Sequence, residues 1–180
     1  MLKKVSIAIM IIIIVLNCVT INYATIETMI EYNSANISKG HISTYYSKSN
    51  AWGIPTAYYM YYTENGTRYP AYCINEGLDG VTEAGNYIVD SSQLISDQRI
   101  WRVLYKGYGF NTPAEMGLEC KEDAYLVTRF AVYSILSNYD VDLKYRANDE
   151  TGEKMIQVLK ELVEFRKIWN TDIPSPIFNY

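Results

Sequence analysis

Apolar positions along the chain fall into stretches of different period. The first, Val5 to Leu16, is almost unbroken Ile, Met, Val, Ala and Leu behind Lys3 and Lys4. A positive start, a core of this length and polar residues directly after it (Asn17, Thr20, Asn22) form the pattern of a secretory signal peptide. The run is short for a free-standing membrane span. Ala24 supplies a small residue for cleavage, so residues 1–24 read as a removable leader. The same run leaves two alternatives open. One is an uncleaved membrane anchor; the other is a lipoprotein acylated at Cys18, with Asn17 standing where a small residue is expected.

Residues 25–50 are polar with scattered Tyr and Ile and carry only weak strand signals. Ala57–Thr63 and Thr67–Asn75 are β-prone runs joined by Glu64-Asn65-Gly66, and Asn-Gly between such runs predicts a hairpin because both residues tolerate positive φ. Asn36-Ile37-Ser38 and Asn65-Gly66-Thr67 are also glycosylation sequons. Gly77, Gly80 and Gly85 mark residues 76–90 as a loop. Ser96 is positioned to cap a short helix through Leu104 or Tyr105, ended by Gly107.

Longer periods follow. Lys121–Ser137 contains no Gly or Pro and carries Glu122 and Asp123 in its first turn, where they complement the helix dipole. Ala124, Val127, Ala131 and Ile135 form one apolar stripe and Leu126, Val132, Tyr133 and Leu136 another, which predicts a helix buried on both sides. Met155–Trp169 is amphipathic, with Met155, Val158, Leu159, Leu162, Phe165 and Trp169 on one face. Pro174 and Pro176 make residues 171–180 an extended tail. Strands first and helices second predict an α+β fold, with one domain spanning residues 25–170.

Charge and composition narrow the function. The formal net charge is −4; without Lys3 and Lys4 the exported chain is more acidic still, so no basic patch is available for nucleic acid. Tyrosine is over-represented, with 18 copies against four Phe, and many crowd into residues 45–72. They suit a half-exposed sheet, or a binding surface on which Tyr72 is a candidate. The single His, His41, cannot support a multi-histidine zinc site and reads as a surface residue. There is no phosphate-binding glycine loop, no Gly-x-Ser-x-Gly and no meaningful carboxylate pair. Glu115, Glu119, Glu122 and Asp123 lack the spacing of a calcium loop and read as a solvated helix start. The sequence therefore points to no enzyme, no cofactor and no metal.

Cysteine is more specific. After the leader the chain holds Cys73 and Cys120, and the default for two cysteines in an exported protein is a disulfide. Against that default stand three segments in order. Tyr72-Cys73-Ile74 ends a tyrosine-rich strand, Ile100–Gly109 and Met116-Gly117-Leu118 follow, and then comes the helix Glu122–Tyr133 containing Thr128-Arg129-Phe130-Ala131-Val132-Tyr133. From about Trp52 to Val163 this resembles the thioester domains of Gram-positive surface adhesins. Those domains pair an aromatic-Cys-apolar strand with a helix reading Thr-Gln-x-Ala-apolar-Trp.

The resemblance implies a small antiparallel β-sandwich or barrel packed on a helical subdomain. It also implies a function: the Cys thiol and the Gln carboxamide condense with loss of ammonia into a thioester. A nucleophile on a host or neighbouring-cell surface protein can then attack that stored acyl group, once and without turnover. Thr128 and Ala131 match the pattern, and Tyr133 replaces Trp. At the Gln position stands Arg129, whose guanidinium offers no carboxamide carbon to Cys73. The remaining glutamines, Gln93, Gln98 and Gln157, lie in no matching context.

If Cys73 meets the middle of the 121–137 helix, as the resemblance implies, Cys120 lies about 13 Å away along the helix axis. That is beyond the ~7 Å a disulfide allows between α-carbons. Cys73 then reads as a thiol and Cys120 as the helix N-cap. Arg129 beside Cys73 has two readings, a guanidinium that stabilises a reactive thiolate or drift at a site out of use. The expectation is a secreted or cell-surface adhesin-type module that is non-covalent or inactive, with thiol chemistry at Cys73 as the alternative. Adhesins of this kind usually continue into stalk domains and a sorting motif, so a shortened reading frame is a third reading.

Overall fold

The computed structural model describes residues 28–29, 37–64, 67–74, 86–87 and 97–167. The leader at 1–24 and the tail at 171–180 lie outside them, as do Ser96 and Trp169. In chain order the elements are β1 (Thr28–Met29), β2 (Ile42–Tyr46), β3 (Ala51–Gly53), β4 (Tyr61–Glu64), β5 (Thr67–Pro70) and β6 (Asn86–Tyr87). Then come α1 (Gln98–Lys106), α2 (Lys121–Leu136), α3 (Val141–Lys144), β7 (Tyr145–Ala147) and α4 (Glu150–Phe165). The class is α+β, as the segregation of strand and helix signals predicts. The described strands form three small antiparallel sheets, β1–β6, β3–β2–β7 and β4–β5.

The core is organised around α2. From Asp123 to Ser134 only Arg129 escapes burial, because α1 and α4 cover two sides and Tyr59, Ala71, Tyr72 and Tyr145 pack on the rest. Two apolar stripes require this, since a helix apolar on both sides cannot face water along either. Val103 of α1, Ile42 of β2 and Met155 and Leu159 of α4 are fully buried in the same cluster.

Several boundaries depart from the sequence reading. Asp97, not Ser96, caps α1 by accepting from the amide of Arg99 at 2.9 Å. The hairpin pairs Glu64 with Thr67, the register a two-residue connection demands, but β5 ends at Pro70, so Cys73 lies three residues past the strand. The α4 helix begins at Glu150, five residues before the amphipathic run. Asp149 caps it, accepting from the Gly152 amide at 2.8 Å, with Glu150 and Glu153 in the first turn. Both acids suit the positive end of the helix dipole.

His41 lies at the surface, as its polar context predicts, and has a structural partner there: its Nδ1 lies 2.7 Å from Oδ2 of Asp149, the residue that caps α4, and this contact lowers the Asp149 pKa. The same corner is fastened by Asn148, whose backbone amide donates to the His41 carbonyl at 2.9 Å and whose side chain donates to the Gly40 carbonyl at 2.7 Å. The corner closes so tightly that a Cβ on Gly152 would stand 2.1 Å from the His41 carbonyl oxygen. In an open helix Gly→Ala stabilises by about 1 kcal/mol. Here Gly152→Ala is expected to destabilise by about 1–3 kcal/mol through overpacking, read as a lower urea midpoint with an unchanged slope.

Candidate functional site

The site starts where the β4–β5 hairpin runs out. Ala71 extends the ladder by one bond, donating its amide to the Met60 carbonyl at 2.9 Å. Its own carbonyl accepts from the hydroxyl of Tyr125 on α2 at 2.7 Å. Tyr72 then donates its hydroxyl to the Tyr108 carbonyl at 2.7 Å, and its ring stacks on Tyr125 with centroids 4.9 Å apart. Tyr59 stacks on the other side of Tyr125 at 4.3 Å. Chain and rings together deliver residue 73 to the face of α2.

Burial pushes the Tyr72 and Tyr125 hydroxyls well above the ordinary tyrosine pKa, so both remain protonated donors across the physiological range. Tyr72 is thereby committed to holding the segment, and its hydroxyl is not presented to a ligand. The crowded tyrosines do not all line a half-exposed sheet: Tyr59 is buried and forms, with Tyr72 and Tyr125, a ring stack under the site, while Tyr46 and Tyr69 are exposed.

Thr128 supplies the second anchor. Fully buried, its hydroxyl donates to the Ala124 carbonyl at 2.8 Å and accepts from the Tyr108 amide at 2.9 Å. A relay of hydrogen bonds therefore runs from Thr128 through Tyr108 to Tyr72, next to Cys73. Gly107 makes the approach feasible: a Cβ there would stand 2.4 Å from Cγ2 of Thr128. This glycine serves contact and not a left-handed cap, since its φ is −87°. Ala131 is fully buried within α2.

Tyr125, Arg129 and Tyr133 are spaced by four and share one face of α2. The Nε of Arg129 donates to the Tyr133 hydroxyl at 3.1 Å, and its guanidinium carbon lies 5.2 Å from the Tyr133 ring centroid. The Cys73 thiol lies close enough to act on the same hydroxyl. The Tyr133 pKa is raised first by burial, is opposed by Arg129, and is raised further by the neighbouring Cys73 thiol. Cys73, Arg129 and Tyr133 thus meet, as the motif alignment requires. Arg129 is held by a phenol, and no carboxylate pairs with it among the described residues. Arg129 is half-buried, so the contact lies at the rim of the core.

The other cysteine is separate. Neither Cys73 nor Cys120 is in a disulfide, and Cys120 is the N-cap of α2, though its side chain makes no capping hydrogen bond. The four acidic residues near this helix start go different ways. Glu115 accepts from Thr112, Glu119 pairs with Lys154, Glu122 lies 3.9 Å from Lys39, and Asp123 is buried. An open cavity of about 280 Å³ lies between Lys106, Asn111, Met116 and Phe165; Cys73, Arg129 and Tyr133 do not line it.

Sequence reasoning missed the roles of Tyr125, Tyr108 and Tyr59, and the contact that Gly107, placed correctly as the helix end, makes with Thr128. For Tyr125 a signal existed, its four-residue offset from Arg129. If its hydroxyl positions Cys73, Tyr125→Phe leaves the Ala71 carbonyl unpaired and costs about 1–3 kcal/mol. The variant should also label faster at Cys73 with a thiol reagent while Cys120 is unaffected, measured by peptide-resolved mass spectrometry.

The comparisons with known proteins bear on this site directly. The family model described as "TED: Thioester domain" matches residues 70–167, which include Cys73 and the whole of α2. Among solved structures, the Bacillus anthracis TIE protein is similar at 20% identity and a TM-score of 0.58, over 83% of this chain and 25% of that one. The thioester domain of the Enterococcus faecium TIE86 protein is similar at 15% identity and a TM-score of 0.57, over 80% of this chain and 50% of that one. The chain therefore spans a quarter of one of these proteins and half of the other. No curated protein matches it. With more than half of its length matched by the family model and the Cys73 segment seated on the Thr128–Tyr133 turn of α2, this chain belongs to the thioester domain family.

Proposed function

We propose that this thioester domain is a secreted or cell-surface binding module of adhesin type whose grip on its target is non-covalent. The observation that carries the reading is the Arg129 Nε bond to the Tyr133 hydroxyl at the helix position where an acyl donor is needed beside Cys73. A thioester requires a carboxamide carbon for the thiol to attack and ammonia as the leaving group. Arginine has no such carbon, so attack on its guanidinium would not give an acyl thioester. The partner in this reading is a protein on a host or neighbouring-cell surface. Nucleic acid, metal and cofactor have no part in it, no reaction is turned over, and membrane contact is confined to the leader if it is retained.

Intact mass and thiol reactivity test this reading together. The expected mass is that of the sequence without loss of ammonia, with Cys73 open to a thiol reagent and indifferent to methylamine. A mass one ammonia lower, with a blocked Cys73 that methylamine opens, would overturn it. Very fast labelling of Cys73 at neutral pH would point instead to thiol chemistry of its own.

The converse substitution is equally informative. Arg129→Gln places a carboxamide on the helix face that Cys73 already meets, so part of the purified variant should lose one ammonia and regain reactivity toward methylamine. Adding Cys73→Ser should abolish that loss. If Arg129→Gln folds with an unchanged mass, the scaffold lacks more than the donor.

A further inference from the structure

Lys39, Cys120 and Asp123 form a second cluster, apart from the Cys73 site and not used by it. The Lys39 Nζ lies 3.1 Å from the Cys120 sulfur, bringing together residues 81 positions apart in the chain. Lys39 is held out by a turn in which it has φ +46° and Gly40 has φ +82°, a conformation that costs a non-glycine residue energy. Cys120 sits where Ser, Thr, Asp or Asn would cap α2, yet it makes no capping bond. Its sulfur faces the amine instead. Beside them Asp123 is only 3% exposed, and its Oδ1 has no hydrogen-bond partner. The Asp123 carboxylate acts on both Lys39 and Cys120.

We propose that Lys39 and Cys120 are the two ends of an oxidation-triggered covalent staple, closed by a peroxide as a sulfur–nitrogen bond. In the first step the Cys120 sulfur attacks a peroxide oxygen. The S–O bond forms, the O–O bond breaks, and the thiol proton leaves with the departing oxygen as water when the oxidant is hydrogen peroxide. In the second step the neutral Lys39 amine attacks the sulfenic sulfur. The N–S bond forms, the S–O bond breaks, and hydroxide leaves as water with a proton from nitrogen. Sulfur is oxidised by two electrons and the peroxide is reduced; thiol, amine and hydrogen peroxide give the sulfenamide and two waters.

The buried Asp123 oxygen and Glu122, 3.9 Å from the amine, are placed to take the proton that the ammonium must lose first. Geometry favours the amine over a second peroxide, because it is already in contact with the sulfur and need not diffuse there. Burial, the largest influence, raises the Cys120 pKa, with Lys39 opposing, and the hydrogen bond to Cys120 raises that of Lys39. Both shifts hold the pair as thiol and ammonium, the less reactive forms, so closure is slow and needs sustained peroxide. Closed, it ties the turn ahead of β2 to the start of α2.

The test is tryptic mapping of the full chain before and after hydrogen peroxide. The expected product is a peptide pair joined at Lys39 and Cys120, lighter than its parts by two hydrogens, with cleavage after Lys39 lost and restored by a thiol reductant. It should persist in Cys73→Ser, which excludes a disulfide route. It should vanish in Lys39→Arg, which keeps the charge and removes the attacking amine. Oxidation of Cys120 to sulfinic acid with Lys39 still cleaved by trypsin would overturn the proposal. So would a joined pair carrying an extra oxygen, which would refute the direct bond.

Discussion

Tyr125 is fully buried on α2, and its hydroxyl reaches the carbonyl of Ala71. A buried tyrosine hydroxyl left without a partner costs about 1–3 kcal/mol, so the strand end and the helix are not free to slide past one another. With the register of Ala71 fixed, the rings of Tyr59 and Tyr72 close on the two faces of Tyr125. Thr128 holds Tyr108, which in turn holds Tyr72. Cys73 follows as the next residue. Its position is a consequence of core packing, satisfied hydrogen bonds and ring stacking, none of which requires an acyl bond. The packing that places Cys73 therefore does not depend on the identity of residue 129.

Much of this was legible because long periods are robust signals. The double stripe of α2 and the single stripe of α4 each extend over several turns, and Asn65-Gly66 set a register that the Glu64–Thr67 pairing reproduces. What escaped notice was short or locally contradictory. Ile42–Tyr46 shows no alternation, because Ile42, Ser43 and Thr44 are all buried in the central strand of its sheet. The α3 and β7 elements are too brief for any period to register. Gly152 disguised the start of α4, where it is needed for contact with His41 and not for chain reversal.

The site divides the same way. Cys73, Thr128, Arg129, Ala131 and Tyr133 were visible as a motif, since each is defined by residue type and spacing. The supports were not. Gly107 reads as a cap from sequence and is one, but it also lets a loop touch Thr128, a contact between residues far apart in the chain that no local pattern shows. Tyrosine frequency suggested a surface, whereas the rings nearest the cysteine are stacked inside. Abundance does not say which side of a sheet a ring faces; partners do.

The two departures from the thioester pattern also fit one another. Tryptophan offers only an indole N–H, a donor, and arginine offers only donors. An arginine one turn before a tryptophan would have no acceptor there. Tyrosine supplies an oxygen that accepts from Arg129 Nε at 3.1 Å while its ring lies near the guanidinium. The same hydroxyl feels the Cys73 thiol beside it. A phenol can donate once and accept as well, so one oxygen serves both neighbours. Arg129 alone would bring a charge to the rim of a core with nothing to meet it, and burying an unmatched charge is costly. With Tyr133 it becomes part of a closed polar contact beside the cysteine. The Arg129–Tyr133 contact is satisfied by the packing of α2 alone, beside the segment that carries Cys73.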